Sequence, residues 1–122
     1  MDHLKALTFV GIAALLAIGQ ILFKLAASTL PENAFSTIGS ALSAARNGYL
    51  VSGLALYAFT TVFWVLSLRD TDLSRAYPFM ALAYVFVPLA SVFVLGERTT
   101  PVLWLGYAFV IAGVLIVAWG GA

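Results

Sequence analysis

Cysteine is absent from the 122-residue sequence, and charged residues are few. Without cysteine there is no disulfide and no thiolate metal site, and one histidine, His3, cannot form a metal-binding cluster. The sequence therefore predicts neither a metal site nor a cofactor. Six Lys/Arg and five Asp/Glu make up 9% of the residues, whereas a soluble domain carries roughly 25%. This scarcity excludes a soluble enzyme, a nucleic-acid-binding protein and a disordered chain.

Long apolar runs take the place of charge. Hydrophobic residues make up 63% of the chain and the mean hydropathy is +1.06. Four runs without charge, each at least 18 residues long, cover residues 6–23, 47–68, 76–96 and 99–122. About 20 apolar residues cross a bilayer as a helix, and these runs lack the alternation of barrel strands. We predict an all-α, single four-helix membrane domain over residues 1–122, with spans at about 5–27, 47–68, 75–96 and 100–120.

The longest connection predicts a further short helix between the first and second spans. Phe35, Ile38, Leu42 and Ala45 recur at helical spacing, with serines between them. Such an amphipathic segment is typical of a helix lying in the membrane interface. An ordinary loop is the alternative, because the segment is short.

Pro88 lies in the middle of the third span. Proline removes a backbone donor and clashes with the preceding turn, so it predicts a kink or a break in the helix. Membrane helices keep such breaks where neighbouring helices or a cavity satisfy the backbone. Pro88 is therefore the candidate hinge.

The Lys/Arg residues are divided evenly between the two sides of the membrane. A clear excess on one side normally fixes the orientation. The balance predicts either insertion in both orientations, which would allow an antiparallel dimer, or one orientation fixed by a partner or the interfacial helix. One side carries Lys5, Arg69 and Arg75, and the other carries Lys24, Arg46 and Arg98.

Four helices are few to enclose a transport pathway, so we expect a working unit of at least two chains. Gly106 and Gly113 are seven residues apart and share one face of the last span. Small residues let helices approach closely in lipid, which predicts a dimer interface there. Packing within one chain is the alternative.

Several motifs resemble a known family. Residues 95–101 (LGERTTP) and 105–117 are similar to the end of an EamA-type drug/metabolite transporter domain, and the four-helix length resembles its small multidrug resistance branch. Gly19-Gln20 with Lys24, and Ala76-Tyr77-Pro78, resemble the small subunits that flip aminoarabinose-phospho-undecaprenol in bacteria. The resemblance implies an inner-membrane flippase for a polyprenyl-phosphate-linked sugar.

One position departs from the drug exporters of that branch. Their first helix carries a membrane-embedded glutamate where this chain has Leu16, and no acidic residue lies inside the four uncharged runs. Burial raises the pKa of such a carboxylate, which lets an exporter exchange protons for cationic drugs. The absence counts against proton-coupled drug export.

Gln20 and Lys24 are the leading candidates for substrate binding. They lie one turn apart on the same face of the first span. A lysine suits a phosphate as a point charge, and the Gln20 amide suits sugar hydroxyls or the phosphodiester. The alternative is that Lys24 extends to the lipid headgroups and Gln20 bonds a neighbouring helix.

Five further residues complete the candidate substrate site. Arg46 would share an anionic headgroup with Lys24, Arg75 would receive the phosphate on the opposite side, and Glu97 would hold an amino sugar. For these three, contact with membrane phosphates or loop solvent is the alternative. Tyr77 and Tyr84, seven residues apart, are predicted to share a face and line the cavity with Thr60, Thr61 and Ser91, for which hydrogen bonding between helices is the alternative.

The sequence as a whole predicts a transporter and not an enzyme, since no nucleophile–base constellation is visible. Its partners would be membrane lipid, the glycolipid substrate, and a second copy or a related small subunit. A small multidrug resistance-type exporter and a non-transporting assembly subunit are the alternatives.

Overall fold

The computed structural model describes residues 3–120, and every regular element within that range is a helix. The predicted all-α class is confirmed. Residues 1, 2, 121 and 122 of the predicted domain lie outside the described residues. The elements are α1 (His3–Thr29), α2 (Ile38–Ala44), α3 (Gly48–Ser67), a 3₁₀ turn (Leu68–Asp70), α4 (Leu73–Ala76), a 3₁₀ helix (Tyr77–Leu82), α5 (Ala83–Leu95) and α6 (Pro101–Trp119).

Four stretches are long and apolar enough to cross a membrane, as the spacing of the charges predicts. They are His3–Thr29, Gly48–Asp70, Leu73–Leu95 and Pro101–Trp119. The chain is therefore a multi-pass membrane protein. Below, the stretch Leu73–Leu95 is called the third span.

Local side-chain chemistry sets several helix ends. The Asn47 side chain accepts from the Leu50 amide at the start of α3, and the Thr100 side chain accepts from the Leu103 amide before Pro101 opens α6. Both bonds satisfy amides that lack a partner within the helix. α5 ends at Gly96, whose φ of 71° is the left-handed conformation that favours glycine.

The short helix between the first two spans is also present. Thr37 and Ser40 form a capping box at the start of α2. Ala34 and Ala44 are buried, whereas Phe35, Ile38 and Leu42 are exposed. A helix, and not an ordinary loop, therefore occupies this connection, while its position in the membrane interface stays a prediction.

α1 is the central helix of the bundle, with α3 and the third span packed against it. All four spans meet at the end where α1 begins. The Phe9 ring lies 5.6 Å from the Trp64 ring and 5.7 Å from the Phe79 ring, measured between centroids. We call this region the packed end. Its buried residues are Ala6, Phe9, Ile12, Ala13, Ala76, Phe79, Leu82, Val114 and Ala118.

The third span changes its winding before Pro88, in the 3₁₀ helix Tyr77–Leu82. Its buried residues recur every third position: Ala76, Phe79, Leu82 and Val85. A 3₁₀ helix has three residues per turn, so this winding keeps all four side chains on the face toward α1. α5 runs through Pro88 without interruption. The break expected at Pro88 is not found, and the hinge role of Pro88 stays a prediction.

The two halves of α6 differ. Its buried residues, Val114 and Ala118, both lie in the C-terminal half. The N-terminal half has no buried residue, and neither has the stretch that continues to Gly113. We call this side of the bundle, which also holds the end of α1 and the start of α3, the open end.

Candidate functional site

A groove of about 420 Å³ lies between α1, α5 and α6. Its volume is in the range of small-molecule sites. We call it the Gln20 groove. It is lined by Gln20, Ala83, Tyr84, Val87, Pro88 and Tyr107.

The groove exists because α6 packs closely only at its far end. Tyr107 lies in the half of α6 that has no buried residue, so a gap separates it from Gln20 on α1 and Tyr84 on α5. Pro88 leaves the Tyr84 carbonyl in the same wall without its usual helical donor, since proline has no amide N–H.

Three polar groups in the groove have no hydrogen-bond partner among residues 3–120: the Gln20 amide and the hydroxyls of Tyr84 and Tyr107. Tyr84 is 70% exposed. Unsatisfied polar groups are costly at membrane depth, where water is absent. The groove therefore offers donors and acceptors to a polar ligand or to a second chain.

Hydrogen-bond partners are present for the hydroxyls of Thr60, Thr61 and Ser91. The Thr60 hydroxyl donates to the Leu56 carbonyl at 2.7 Å, Thr61 donates to Tyr57 at 2.8 Å, and Ser91 donates to Pro88 at 2.8 Å. Each bond lies within one helix, so the hydrogen bonding between helices considered for these residues is absent in this part of the chain. None of the three lines the Gln20 groove.

Lys24 follows Gln20 by one turn, which places it about 6 Å further along the helix axis toward the open end. It is exposed, and its ammonium has no partner among the described residues. Arg46 is also exposed and precedes Asn47, whose side-chain amide donates to the Thr29 hydroxyl at 2.7 Å. Lys24 and Arg46 therefore lie at the open end, where Arg98 is also exposed.

Tyr77 does not join Tyr84 in the groove. Its ring instead lies 6.3 Å from the Trp64 ring of α3. Seven α-helical steps would return to the same face, but the 3₁₀ winding of Tyr77–Leu82 turns the helix by about 100° more over this stretch. The predicted shared face assumed a regular α-helix and is not formed.

Arg75 and Glu97 lie at opposite ends of the bundle. Arg75 is half-buried in α4, next to the buried Ala76 of the packed end. Glu97 is exposed just after α5, and its backbone amide donates to the Ser91 carbonyl at 3.2 Å. The structure therefore brings Gln20 and Tyr84 together, while Lys24, Arg46 and Glu97 lie toward the same end outside the groove.

Gly106 and Gly113 are exposed on α6. A Cβ atom built on either glycine would meet nothing within 4 Å among residues 3–120. Within that range, the alternative of packing inside one chain is therefore not found for these glycines. The dimer interface stays a prediction.

Tyr107 is the groove residue that the sequence pattern missed, since it resembles a member of the aromatic belt at the membrane surface. Its depth was the available signal. Tyr107 lies six positions after Pro101, a rise of about 9 Å into the span. α6 is almost uniformly apolar, so periodicity could not show which face lines a groove.

A second groove, of about 460 Å³, lies between α1 and α5 on a different face of α5. We call it the apolar groove, because its lining side chains are all apolar; they include Ala17, Ile21, Phe86 and Phe93. Within residues 3–120, no group of three or more His, Cys, Asp or Glu residues is placed to hold a metal ion.

Comparison with known proteins identifies relatives over most of the chain. The family model described as "EamA-like transporter family" matches residues 1–119. No solved structure matches.

Two curated relatives are named as probable subunits of a 4-amino-4-deoxy-L-arabinose-phosphoundecaprenol flippase. Subunit ArnF of Erwinia tasmaniensis is 31% identical over 120 residues, which cover 92% of each chain. Subunit ArnE of Pseudomonas fluorescens is 35% identical over 79 residues, which cover 65% of this chain and 69% of the relative. Both names describe subunits of a transport system.

Proposed function

The chain belongs to the EamA-like transporter family, and from that premise we propose that it flips a polyprenyl-phosphate-linked sugar across the bacterial inner membrane. The resemblance noted in the sequence is confirmed at the level of the family. The names of the relatives, at 31% and 35% identity, support an undecaprenyl-phosphate amino sugar as the substrate class. Such a function moves a lipid without any covalent step.

One observation carries the proposal: a groove with three unpartnered polar groups lies one helical turn below an unpaired lysine. Lys24 contacts the phosphate and offsets the cost of moving its charge through lipid. The sugar enters the Gln20 groove, where Gln20 and Tyr84 meet its hydroxyl groups. The polyprenyl chain remains in the surrounding lipid.

The remaining candidate residues act at the two ends of this path. Arg46 shares the anionic headgroup with Lys24 at the open end, and Glu97 at the same end holds the amino group of the sugar. Arg75 receives the phosphate at the packed end, beside Tyr77. Pro88 is the hinge that lets the wall of the groove move.

The working unit is a dimer. One chain supplies only part of a wall around the Gln20 groove, and α6 exposes Gly106 and Gly113 where a second helix can approach closely. The second chain is another copy, parallel or antiparallel, or a related small subunit. Rocking of one chain against the other then alternates access to the two membrane surfaces.

A multidrug-type exporter receives no comparable support. None of the six residues that line the Gln20 groove is acidic. A cationic drug would find aromatic faces there but no carboxylate to exchange for a proton.

Replacement of Lys24 by alanine tests the proposal. We expect Lys24→Ala to slow the transfer of the sugar lipid by about ten- to hundredfold, because a charge-assisted hydrogen bond to the phosphate is lost. Transfer is measured in reconstituted vesicles as the appearance of the sugar on the far leaflet. The matched control is Lys5→Ala, since Lys5 donates to the Asp70 carbonyl at the packed end, at 2.9 Å. Unchanged transfer by Lys24→Ala would favour a non-transporting assembly subunit.

A further inference from the structure

Tyr107 is held in place by a short series of contacts at the start of α6 and in the residues just before it. The indole N–H of Trp104 donates to the Thr99 hydroxyl at 2.7 Å. The Trp104 ring then meets the Tyr107 ring edge to face, with centroids 5.3 Å apart. Such aromatic pairs have a preferred geometry, so the Thr99 bond restrains the position of the Tyr107 ring. α6 thus presents a supported side chain to the groove, although this half of the helix has no buried residue.

The chemistry of the groove suits an uncharged polyhydroxyl ring better than a phosphate. None of its six lining residues carries a charge. An amide and two phenol hydroxyls both donate and accept hydrogen bonds, which matches the hydroxyl groups of a sugar. A phosphate requires cations or several amide donors, and the nearest cation along α1 is Lys24, one turn away.

We propose that the Tyr107 hydroxyl, with Gln20 opposite, hydrogen-bonds the uncharged hydroxyls of the sugar and so distinguishes a sugar-carrying lipid from bare polyprenyl phosphate. The inference rests on the proposed function and assigns the two parts of the substrate to different residues. Lys24 binds the phosphate that both lipids share, whereas Tyr107 binds the sugar that only one of them carries. Trp104 is a positioning residue, because it reaches the sugar only through Tyr107.

Tyr107→Phe tests the assignment, because the substitution removes the hydroxyl and keeps the ring that meets Trp104. Binding is measured for the full chain in nanodiscs with two probes, undecaprenyl phosphate with and without the attached 4-amino-4-deoxy-L-arabinose. We expect Tyr107→Phe to weaken binding of the sugar lipid by about three- to tenfold, the effect of one lost hydrogen bond. Binding of the bare lipid should not change.

The matched control is Tyr57→Phe. Tyr57 is exposed within a span, but it lies on α3, where its ring is 6.4 Å from the Phe23 ring and outside the groove. It should leave both affinities unchanged. A structural defect would lower both affinities together, so the ratio of the two affinities isolates the role of Tyr107.

Trp104→Phe extends the test to the positioning contact. It removes the bond to Thr99 and should lower the ratio of the affinity for the sugar lipid to that for the bare lipid by about twofold. This effect is smaller than that of Tyr107→Phe, since the Tyr107 hydroxyl remains. A ratio unchanged in Tyr107→Phe, or a loss of dimer with no change in the ratio, would overturn the inference and leave the proposed function intact. Binding of neither probe by the unaltered chain would overturn the proposed function and this inference with it.

Discussion

At the packed end, Phe9 and Phe79 are 1% and 2% exposed, among side chains from all four spans. At the open end, Tyr84 is 70% exposed and faces a groove that α6 only partly encloses. The same helices, α1 and α6, contribute to both regions. The difference shows that the chain encloses its largest side chains at one end and leaves the polar groups of the Gln20 groove without partners among residues 3–120 at the other. Stability and binding are therefore separated along the bundle axis.

The largest effect on stability is expected when an aromatic ring is removed from the packed end. We expect Phe9→Ala to lower the free energy of unfolding by about 2–3 kcal/mol, below the range for soluble cores because lipid supplies no hydrophobic driving force between helices. The measurement is reversible unfolding in mixed detergent micelles. Tyr84→Ala is the control at the open end and should change the free energy of unfolding by under about 0.5 kcal/mol. Equal losses would contradict the separation of the two ends.

A smaller effect should show that α6, and not α3, is the helix that packs loosely at the open end. A Cβ atom on Gly53 of α3 would lie 2.7 Å from Cε1 of Phe23, so the ring must move, whereas one on Gly113 meets nothing within 4 Å. We expect Gly53→Ala to destabilise the chain by about 1 kcal/mol. In the same unfolding assay, Gly113→Ala should show no loss when the chain is held as a monomer. Destabilisation by Gly113→Ala in the monomer would mean that α6 packs more closely than described.

The smallest effect on stability is expected at Pro88. Pro88→Ala restores a backbone donor to α5 and should change the free energy of unfolding by under about 1 kcal/mol, in the stabilising direction. If Pro88 is a hinge of the groove wall, transfer of the sugar lipid should slow by about two- to fivefold, because motions of this kind often limit turnover. An unchanged rate of transfer in the vesicle assay would contradict the hinge role of Pro88.

The spacing of the charges was sufficient to predict the number and approximate bounds of the spans, because each charge marks where a helix leaves the lipid. The spacing of Phe35, Ile38 and Leu42 was sufficient to predict α2. Both signals depend on contrast between polar and apolar residues. Gln20 and Lys24 became candidates for the same reason, as polar residues one turn apart on an apolar helix.

Where contrast is lacking, the sequence could not predict the structure. The third span is apolar on every side, so nothing in it distinguishes the buried set Ala76, Phe79 and Leu82 from its neighbours, and the 3₁₀ winding was missed. Tyr77 was placed on the wrong face as a consequence. α6 is equally uniform, so its periodicity could not show that Tyr107 faces a groove, and the depth of Tyr107 in the span was the signal that remained.

The hydrogen bond between Asn47 and Thr29 has a consequence for how this protein can vary. It joins the end of α1 to the start of α3 across 18 positions of sequence, so the two spans have a direct link besides the chain that connects them. The segment that holds α2 thus lies outside this direct link between the two spans. We expect insertions in its exposed positions to leave unchanged the register of the helix that carries Gln20 and Lys24.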